Sequence, residues 1–332
     1  MSYLGRWASL IPFCLASLSF VCSGATVSGF GNGGAIPPGA PLLASGEFTS
    51  NIVIASSGYV TSGNAVTVIL KGLQHEWAGD LIGMLSYINS QGNAAIATAN
   101  LFFRIGRTPS QPYGSWAQFG VPGPAGDNYL FNSGFAGNIW PIAATAGSAD
   151  VIPGLQTDTV NGGQYFTSDA GGVNNTLSSD FTGLNVHTGT WRLTLIDATN
   201  HVGELGATPN VGSLVGWELD VQTQTTAVAS FCLNATPYAL GPIAPGKSVT
   251  YTVTVSPVNG FTGPTTLSLS GLPSGISGSF SVNPVVITSN SAVSSLLTVS
   301  TSTEVAGGTY PITVTGQSGS LTHSTSATLY VL

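Results

Sequence analysis

Apolar and polar residues alternate one by one in many short segments of this chain, and glycine, proline, asparagine and serine separate these segments. Alternation with a period of two predicts β-strands that bury one face. The clearest segments before residue 222 are Val66–Leu70, Leu101–Ile105, Trp191–Leu195 and Leu219–Val221. No long stretch repeats every 3.6 residues, as an amphipathic helix would. The pattern therefore predicts an all-β protein.

The last third of the chain alternates most regularly and has almost no charge. Its alternating segments are Val249–Val255, Leu267–Leu269, Tyr310–Val314 and Leu329–Val331. Beyond residue 222 the only charged residues are Lys247 and Glu304. This change in composition places a linker at 222–228 and a second domain at 229–332. About seven strands in roughly 100 residues is the size of an immunoglobulin-like (Ig-like) sandwich.

Two motifs and a short triplet characterise the first domain: HEWAGDLIGML at 75–85, Gly-Asp-Asn at 126–128, and GTWRLTLIDATNHVGELGATPNVGSLVGWELDV at 189–221. In this order they resemble the motifs of the P domain, or Homo B domain, which follows the catalytic domain of subtilisin-like proprotein convertases. The resemblance implies a jelly-roll-like β-sandwich over 47–221, preceded by a lead-in at 26–46. It implies structural roles for the matching residues, which are His75, Gly79, Asp80, Leu81, Asp127, Asn128, Gly189, Thr190, Trp191, Asp197 and Trp217.

The second domain resembles the Ig-like repeats of bacterial secreted proteins, on residues 245–280 and 306–320. Such modules are spacers, stalks or adhesion units, so this resemblance implies no particular ligand. The first domain departs from the P-domain pattern in its loop-rich middle region and at His187, which precedes Gly-Thr-Trp. We therefore expect the contact surface of this chain at 106–176 and in the loop around His187.

Residues 1–25 have the pattern of a secretory signal. Arg6 provides a positive charge, an apolar run follows, and small residues precede a predicted cleavage after Ala25. Lipoprotein processing at Cys22 is the alternative. The apolar run is short for a membrane span, so we predict a secreted or cell-surface bacterial protein with no span after signal removal. Cys232 is then the remaining cysteine, and we expect it to be a buried, inert thiol.

The charge of the chain limits its partners. Charged residues make up 6% of the sequence, apolar residues 42%, and the formal net charge is −7. Nucleic acid is excluded as a partner because no basic run is present. A surface rich in Ser, Thr, Asn and Gly is common in extracellular β-proteins, so we expect an extracellular protein or glycan as the partner.

The P-domain resemblance raises the question of proteolysis. The chain has no Gly-x-Ser-x-Gly motif and lacks the length for a subtilisin-like catalytic domain beside two sandwiches. His75, His187 and Asp197 could in principle meet a serine, but the family motif accounts for His75 and Asp197 structurally. We therefore predict no catalytic residues and no enzyme. Association with a separate subtilisin-like serine endopeptidase, as its accessory component, is an alternative.

Calcium is the metal that suits this sequence best, and no cofactor is certain. His75-Glu76 lacks the second histidine of a zinc site. Carboxylates from distant turns could hold Ca²⁺. The aspartates considered are Asp80, Asp127, Asp158, Asp169, Asp180 and Asp197. Asp80, Asp127 and Asp197 are the main candidates, and the alternative is that such residues cap turns.

Aromatic residues in the middle region suggest a ligand surface. Trp116, Tyr113, Tyr129 and Trp140, together with His187, are its candidate residues. Exposed rings can stack on sugars, so a carbohydrate-binding module is a further alternative. The rings could instead cover an open edge of the sandwich, because each buries a large apolar area. The leading interpretation is a secreted, non-catalytic protein for interaction or adhesion.

Overall fold

A computed structural model describes residues 25–38, 46–62, 64–90, 94–107, 114–120, 127–145, 151–152, 154, 163–175, 177–198 and 212–332. β-Strands dominate this part of the chain, which confirms the all-β prediction. Its α-helices are short, α1 (Ile139–Thr145) and α2 (Leu177–Asp180). Within these ranges, no helix has the length and apolar character needed to cross a membrane. Residues 1–24 of the predicted signal lie outside the described residues.

The described residues of the first domain contain twelve strands, ten of which form the two sheets of a β-sandwich. In chain order they are β1 (Ala25–Ile36), β2 (Glu47–Ile52), β3 (Tyr59–Val60), β4 (Val66–Leu73), β5 (Leu81–Asn89), β6 (Ala95–Phe103), β7 (Gln118–Phe119), β8 (Asp127–Phe131), β9 (Val151–Ile152), β10 (Gln164–Tyr165), β11 (Gly189–Asp197) and β12 (Gly212–Gln224). One sheet has the order β1-β12-β4-β8-β10, with β3 beside β12, and the facing sheet has the order β2-β11-β5-β6. β7 and β9 form a separate parallel pair.

The pairing of these strands is that of a jelly roll. β1 pairs with β12, β2 with β11, β4 with β8 and β5 with β6, all antiparallel. The first and last strands of the domain are thus partners, as are the second and the last but one. Strands nearer the middle of the domain sequence pair with each other in turn. The topology agrees with the predicted jelly-roll-like sandwich. The middle region is less irregular than expected, because β8 and β10 belong to the first sheet.

Alternating residues of the predicted strands do point into the core. Val66, Val68 and Leu70 of β4 are fully buried, as are Trp191 and Leu193 of β11. Their neighbours in sequence are more exposed. Burial of these alternate side chains between two sheets provides the main stabilising free energy of a sandwich.

The boundaries of the first sandwich differ from the expected ones. Residues 26–46, expected as a lead-in, contain most of β1, which pairs with β12 from Ala25↔Thr223 to Ile36↔Gly212. The expected linker at 222–228 begins too early, because β12 continues to Gln224. Only residues 225–229 separate β12 from the next strand.

Nine strands build the second β-sandwich. They are β13 (Ser230–Thr236), β14 (Ala239–Ile243), β15 (Ser248–Val258), β16 (Gly263–Ser270), β17 (Ile276–Phe280), β18 (Val285–Ile287), β19 (Val293–Thr301), β20 (Gly308–Ser318) and β21 (Leu321–Val331). The sheets have the orders β13-β15-β19-β17 and β14-β21-β20-β16-β18. β13-β15-β19-β17 corresponds to the ABED sheet of an Ig fold, and β16-β20-β21 to its CFG sheet. The expected Ig-like sandwich is therefore present.

The two sandwiches pack closely at a junction formed by β5 and β6 of the first and β13, β14 and β21 of the second. Ala239 and Tyr330 lie in one apolar cluster with Ile82, Met84 and Phe103. This contact explains why β5 is buried on both faces. The sandwiches thus share apolar surface that would be exposed if they separated.

Polar contacts and a cysteine also connect the sandwiches at the junction. The Asn234 side chain donates a hydrogen bond to the Ala95 carbonyl (3.0 Å), and Asn259 donates to the Gly183 carbonyl (2.8 Å). Cys232 of β13 belongs to the apolar core of the first sandwich. It is fully buried, and desolvation raises the pKa of its thiol, which confirms the expected buried thiol.

We expect the two sandwiches to unfold together, because separating them exposes the shared apolar surface. Trp77, Trp116, Trp140, Trp191 and Trp217 all lie in the first sandwich, and the sixth tryptophan, Trp7, belongs to the predicted signal. In residues 26–332, tryptophan fluorescence therefore follows that sandwich alone. Far-UV circular dichroism follows both. The two signals should have the same urea midpoint. A circular dichroism transition in two steps, only one of which coincides with the fluorescence change, would contradict this expectation.

Candidate functional site

A buried polar cluster lies where β5 begins and β11 ends. We call His75, Asp80, Arg104 and Asp197 the motif cluster, because three of the four belong to the P-domain-like motifs. The Arg104 Nη2 atom lies 3.4 Å from Asp80 Oδ1, and each side chain is only 3% exposed. Arg104 Nε also donates to the Gly79 carbonyl at 3.0 Å. This arginine holds the start of β5 against the end of β6.

His75 occupies the other half of the motif cluster. Its Nε2 lies 3.5 Å from Asp197 Oδ2. On the other side of the ring, Nδ1 lies 3.2 Å from the Trp77 amide and 3.0 Å from the Trp77 carbonyl. The His75 side chain is 1% exposed, so the ring is enclosed within the fold.

Each carboxylate of the motif cluster faces a basic side chain. Two carboxylates face one guanidinium and one imidazole inside the protein. Burying a charge is costly unless a partner compensates for it, so each member depends on the others. Sequence reasoning missed Arg104. The only sequence signal was its rarity, since the whole chain has six Lys and Arg residues.

A pair of stacked tryptophans lies next to the motif cluster. The Trp77 and Trp116 ring centroids are 4.8 Å apart and the planes differ by 26°. Trp77 is buried, whereas Trp116 is 38% exposed. Backbone hydrogen bonds from Ala78 to Ala117 (2.8 Å) and from Gly79 to Ser115 (2.9 Å) hold the two segments together. Trp116 therefore presents a ring to solvent from a fixed backbone.

The other candidate ligand residues do not join this ring. Tyr129 belongs to the core. It is fully buried, accepts a bond from the Gly120 amide and donates to the Ile152 carbonyl. Trp140 is half-buried, and its Nε1 donates to Ser168 Oγ at 3.2 Å. Tyr113 lies outside the described residues. The expectation of a shared ligand surface is therefore wrong for Tyr129, because its hydroxyl and ring both serve the core.

His187 is exposed, but it lies at the opposite end of β11 from Trp116. Its Nδ1 is 2.8 Å from the Ile54 carbonyl, and it precedes Gly189, the first residue of β11. The nine residues of β11 span roughly 26 Å at the usual rise of a strand. His187 and Trp116 therefore cannot contact one small ligand together.

The calcium candidates are separated or paired with other side chains. Asp80 contacts Arg104 and Asp197 contacts His75. Asp127 is buried on β8, opposite Leu73 of β4. In the ranges that the structure describes, no three His, Cys, Asp or Glu side chains form a group that could hold a metal.

The remaining motif residues lie in the sandwich. A Cβ on Gly189 would lie 2.3 Å from Tyr87 Cζ, so this position has room only for glycine. Thr190 is half-exposed on β11, opposite Ile88. Asn128 accepts a bond from the Gly72 amide at 3.2 Å. Leu81, Trp191 and Trp217 are core residues.

Comparisons with known proteins do not identify a family. No family model matches the chain, and no curated protein matches it. Among solved structures, domains 4 and 5 of the S-layer protein SbsC are similar to part of it, with 18% identity and a TM-score of 0.24. That similarity covers 35% of this chain and 58% of the SbsC structure. So low a TM-score supports no argument about fold or function, and the P-domain resemblance stays a prediction from the motifs.

Arg104→Met should destabilise the protein strongly, because Asp80 would keep a buried charge without its cation. We expect the free energy of unfolding to fall by about 3–5 kcal/mol. The control is Lys71→Met, which breaks the more exposed Lys71–Glu218 pair and should cost about 1 kcal/mol or less. Urea unfolding measures both. Equal small losses would show that the motif cluster does not stabilise the fold.

Proposed function

We propose that this chain is an exported, non-catalytic binding protein. Its partner binds at the end of the first sandwich where β5 begins and where Trp116 is exposed, which we call the Trp116 end. The observation that supports this most directly is the exposed Trp116 ring stacked on buried Trp77. A rigid aromatic side chain with an exposed face loses little conformational entropy on binding. Tryptophan is accordingly enriched at sites that dominate binding energies.

The motif cluster supports the non-catalytic part of the proposal. A catalytic histidine needs one ring nitrogen within reach of a nucleophile or substrate. In the described part of the chain, the polar contacts of the His75 ring are with the Trp77 backbone and the Asp197 carboxylate. The ring is also enclosed, so it stabilises the fold instead of presenting a base.

Carbohydrate binding is the second candidate, and the same ring favours it. The flat face of a tryptophan suits the apolar face of a sugar ring. Carbohydrate would be one form of the extracellular partner, and a protein would be the other. The accessory role beside a subtilisin-like endopeptidase rests on the sequence resemblance alone and remains a prediction.

Trp116→Ala should weaken binding to an extracellular partner by about tenfold or more, since the central ring is removed. The matched control is Phe30→Ala. Phe30 is also an exposed aromatic residue, with 69% of its surface exposed, but it belongs to β1. A glycan array followed by calorimetry on the best ligand would measure the effect, and immobilised surface proteins would serve as the second panel. Equal binding by both variants would refute the proposed surface.

A further inference from the structure

The strand β1 lies at one edge of the first sheet. Among the described residues, its backbone hydrogen-bonds with β12 alone, from Ala25 to Ile36. The N–H and C=O groups that point away from β12 form a row that can pair with a further strand. Most residues of β1 are exposed or half-exposed, so the described part of the chain leaves this edge open.

β1 lacks the features that usually prevent an edge strand from pairing with another chain. Such features are short length, charged side chains and proline. Four other edge strands of the two sandwiches have them: β10 and β18 contain two and three residues, β2 begins with Glu47, and β14 contains Pro242. β1 has twelve residues, none of which is charged or a proline. Its sequence therefore permits pairing at the edge.

Glycines give β1 a smooth inward side. A Cβ on Gly29 would lie 2.3 Å from Ile52 Cγ2, and a Cβ on Gly31 would lie 1.9 Å from Trp217 Nε1. Both glycines therefore face the core and have room for no larger residue. Glycine within a strand often marks a place where another backbone approaches closely. A further strand beside β1 would meet no side chain from these two positions.

Phe30 lies between these glycines and faces outward, with 69% of its surface exposed. Lys71 Nζ lies 5.1 Å from the centroid of its ring and also pairs with Glu218 at 2.6 Å. The contact with Lys71 holds the ring on the outer face of the sheet, while most of the ring stays accessible. Aromatic rings directly opposite each other on neighbouring strands stabilise an antiparallel pair. The open edge thus presents an aromatic ring that can enter such a pair.

The outward residues of β1 are complementary to those of a second copy of the same strand. Ser28, Phe30 and Asn32 all face outward and are exposed. In an antiparallel pair centred on Phe30, the two Phe30 rings lie opposite each other, and Ser28 lies opposite Asn32 of the second copy. Residues in such positions have Cβ atoms about 4.5–5.5 Å apart. One register therefore joins ring with ring and polar side chain with polar side chain.

We propose that two copies of this chain associate through antiparallel pairing of their β1 strands, centred on Phe30. A two-fold axis passes between the two rings, so the same surface serves both copies. The two first sheets then form one continuous sheet. Self-pairing is compatible with the formal net charge of −7, because β1 is neutral and the nearby Lys71 and Glu218 compensate each other. A single pair of strands makes a small interface, so the dimer is weak and its population depends on concentration.

Sedimentation of residues 26–332 at concentrations up to about 1 mM measures this association. We expect a monomer in dilute solution and a dimer at the highest concentrations. Phe30→Lys places two like charges opposite each other and should weaken the association by about tenfold or more. Leu296→Lys is the matched control, since Leu296 is 50% exposed but lies on β19, inside a sheet of the second sandwich. This variant should associate as the wild type does.

A charge exchange tests the register. Phe30→Lys and Phe30→Glu should each remain largely monomeric, because like charges face each other across the two-fold axis. An equimolar mixture of the two should form heterodimers, because opposite charges then lie directly opposite each other. Circular dichroism and the urea midpoint check that each variant is folded.

Three results would overturn the proposal. The wild type could remain monomeric at the highest concentration. Folded Phe30→Lys could associate as strongly as the wild type, or Leu296→Lys could lose the association, and the contact would then lie elsewhere. Finally, the mixture of the two Phe30 variants could associate no better than either alone, which would exclude the register. None of these results depends on whether Trp116 binds a partner.

Discussion

The first sandwich depends on the burial of Trp191 and Trp217, one on each of its facing sheets. Trp217 Nε1 donates to Ser50 Oγ at 3.0 Å, so the ring of β12 is bonded to β2 in the opposite sheet. The backbone makes room for it, since a Cβ on Gly31 would lie 1.9 Å from Trp217 Nε1. Trp191 packs against Tyr87, with ring centroids 4.9 Å apart. Both rings are fully buried in the core between the two sheets.

The second constraint is the junction, where strands of the second sandwich cover β5 and β6 of the first. Ile82 and Met84 would face solvent in an isolated first sandwich, but they pack against Ala239 and Tyr330. The sequence contains a signal of this, because residues 81–88 read Leu-Ile-Gly-Met-Leu-Ser-Tyr-Ile and do not alternate. A continuous apolar run is typical of a strand buried on both faces. The same packing leaves a small pocket beside Asp169 between the sandwiches.

The charged residues of this chain are few, and the structure places several of them where they stabilise the fold. Arg104 and Asp80 are buried together, and His75 with Asp197 completes the motif cluster. The histidine and the carboxylates of the motif cluster are therefore buried with their partners inside the fold. Trp116 lies beside this cluster with its ring exposed, and this ring carries the proposed binding surface.

The sequence by itself determined the strands and the two sandwiches, because alternation is a local pattern and an alternating strand must bury one face. It also identified Trp191 and Trp217 as core residues. Only the tertiary structure decided that Tyr129 is buried while Trp116 is exposed, since both lie in similar aromatic segments. It likewise decided that β1 belongs to the first sheet, and that Ser326 meets Asp169. Such contacts join residues far apart in the chain, and no local pattern encodes them.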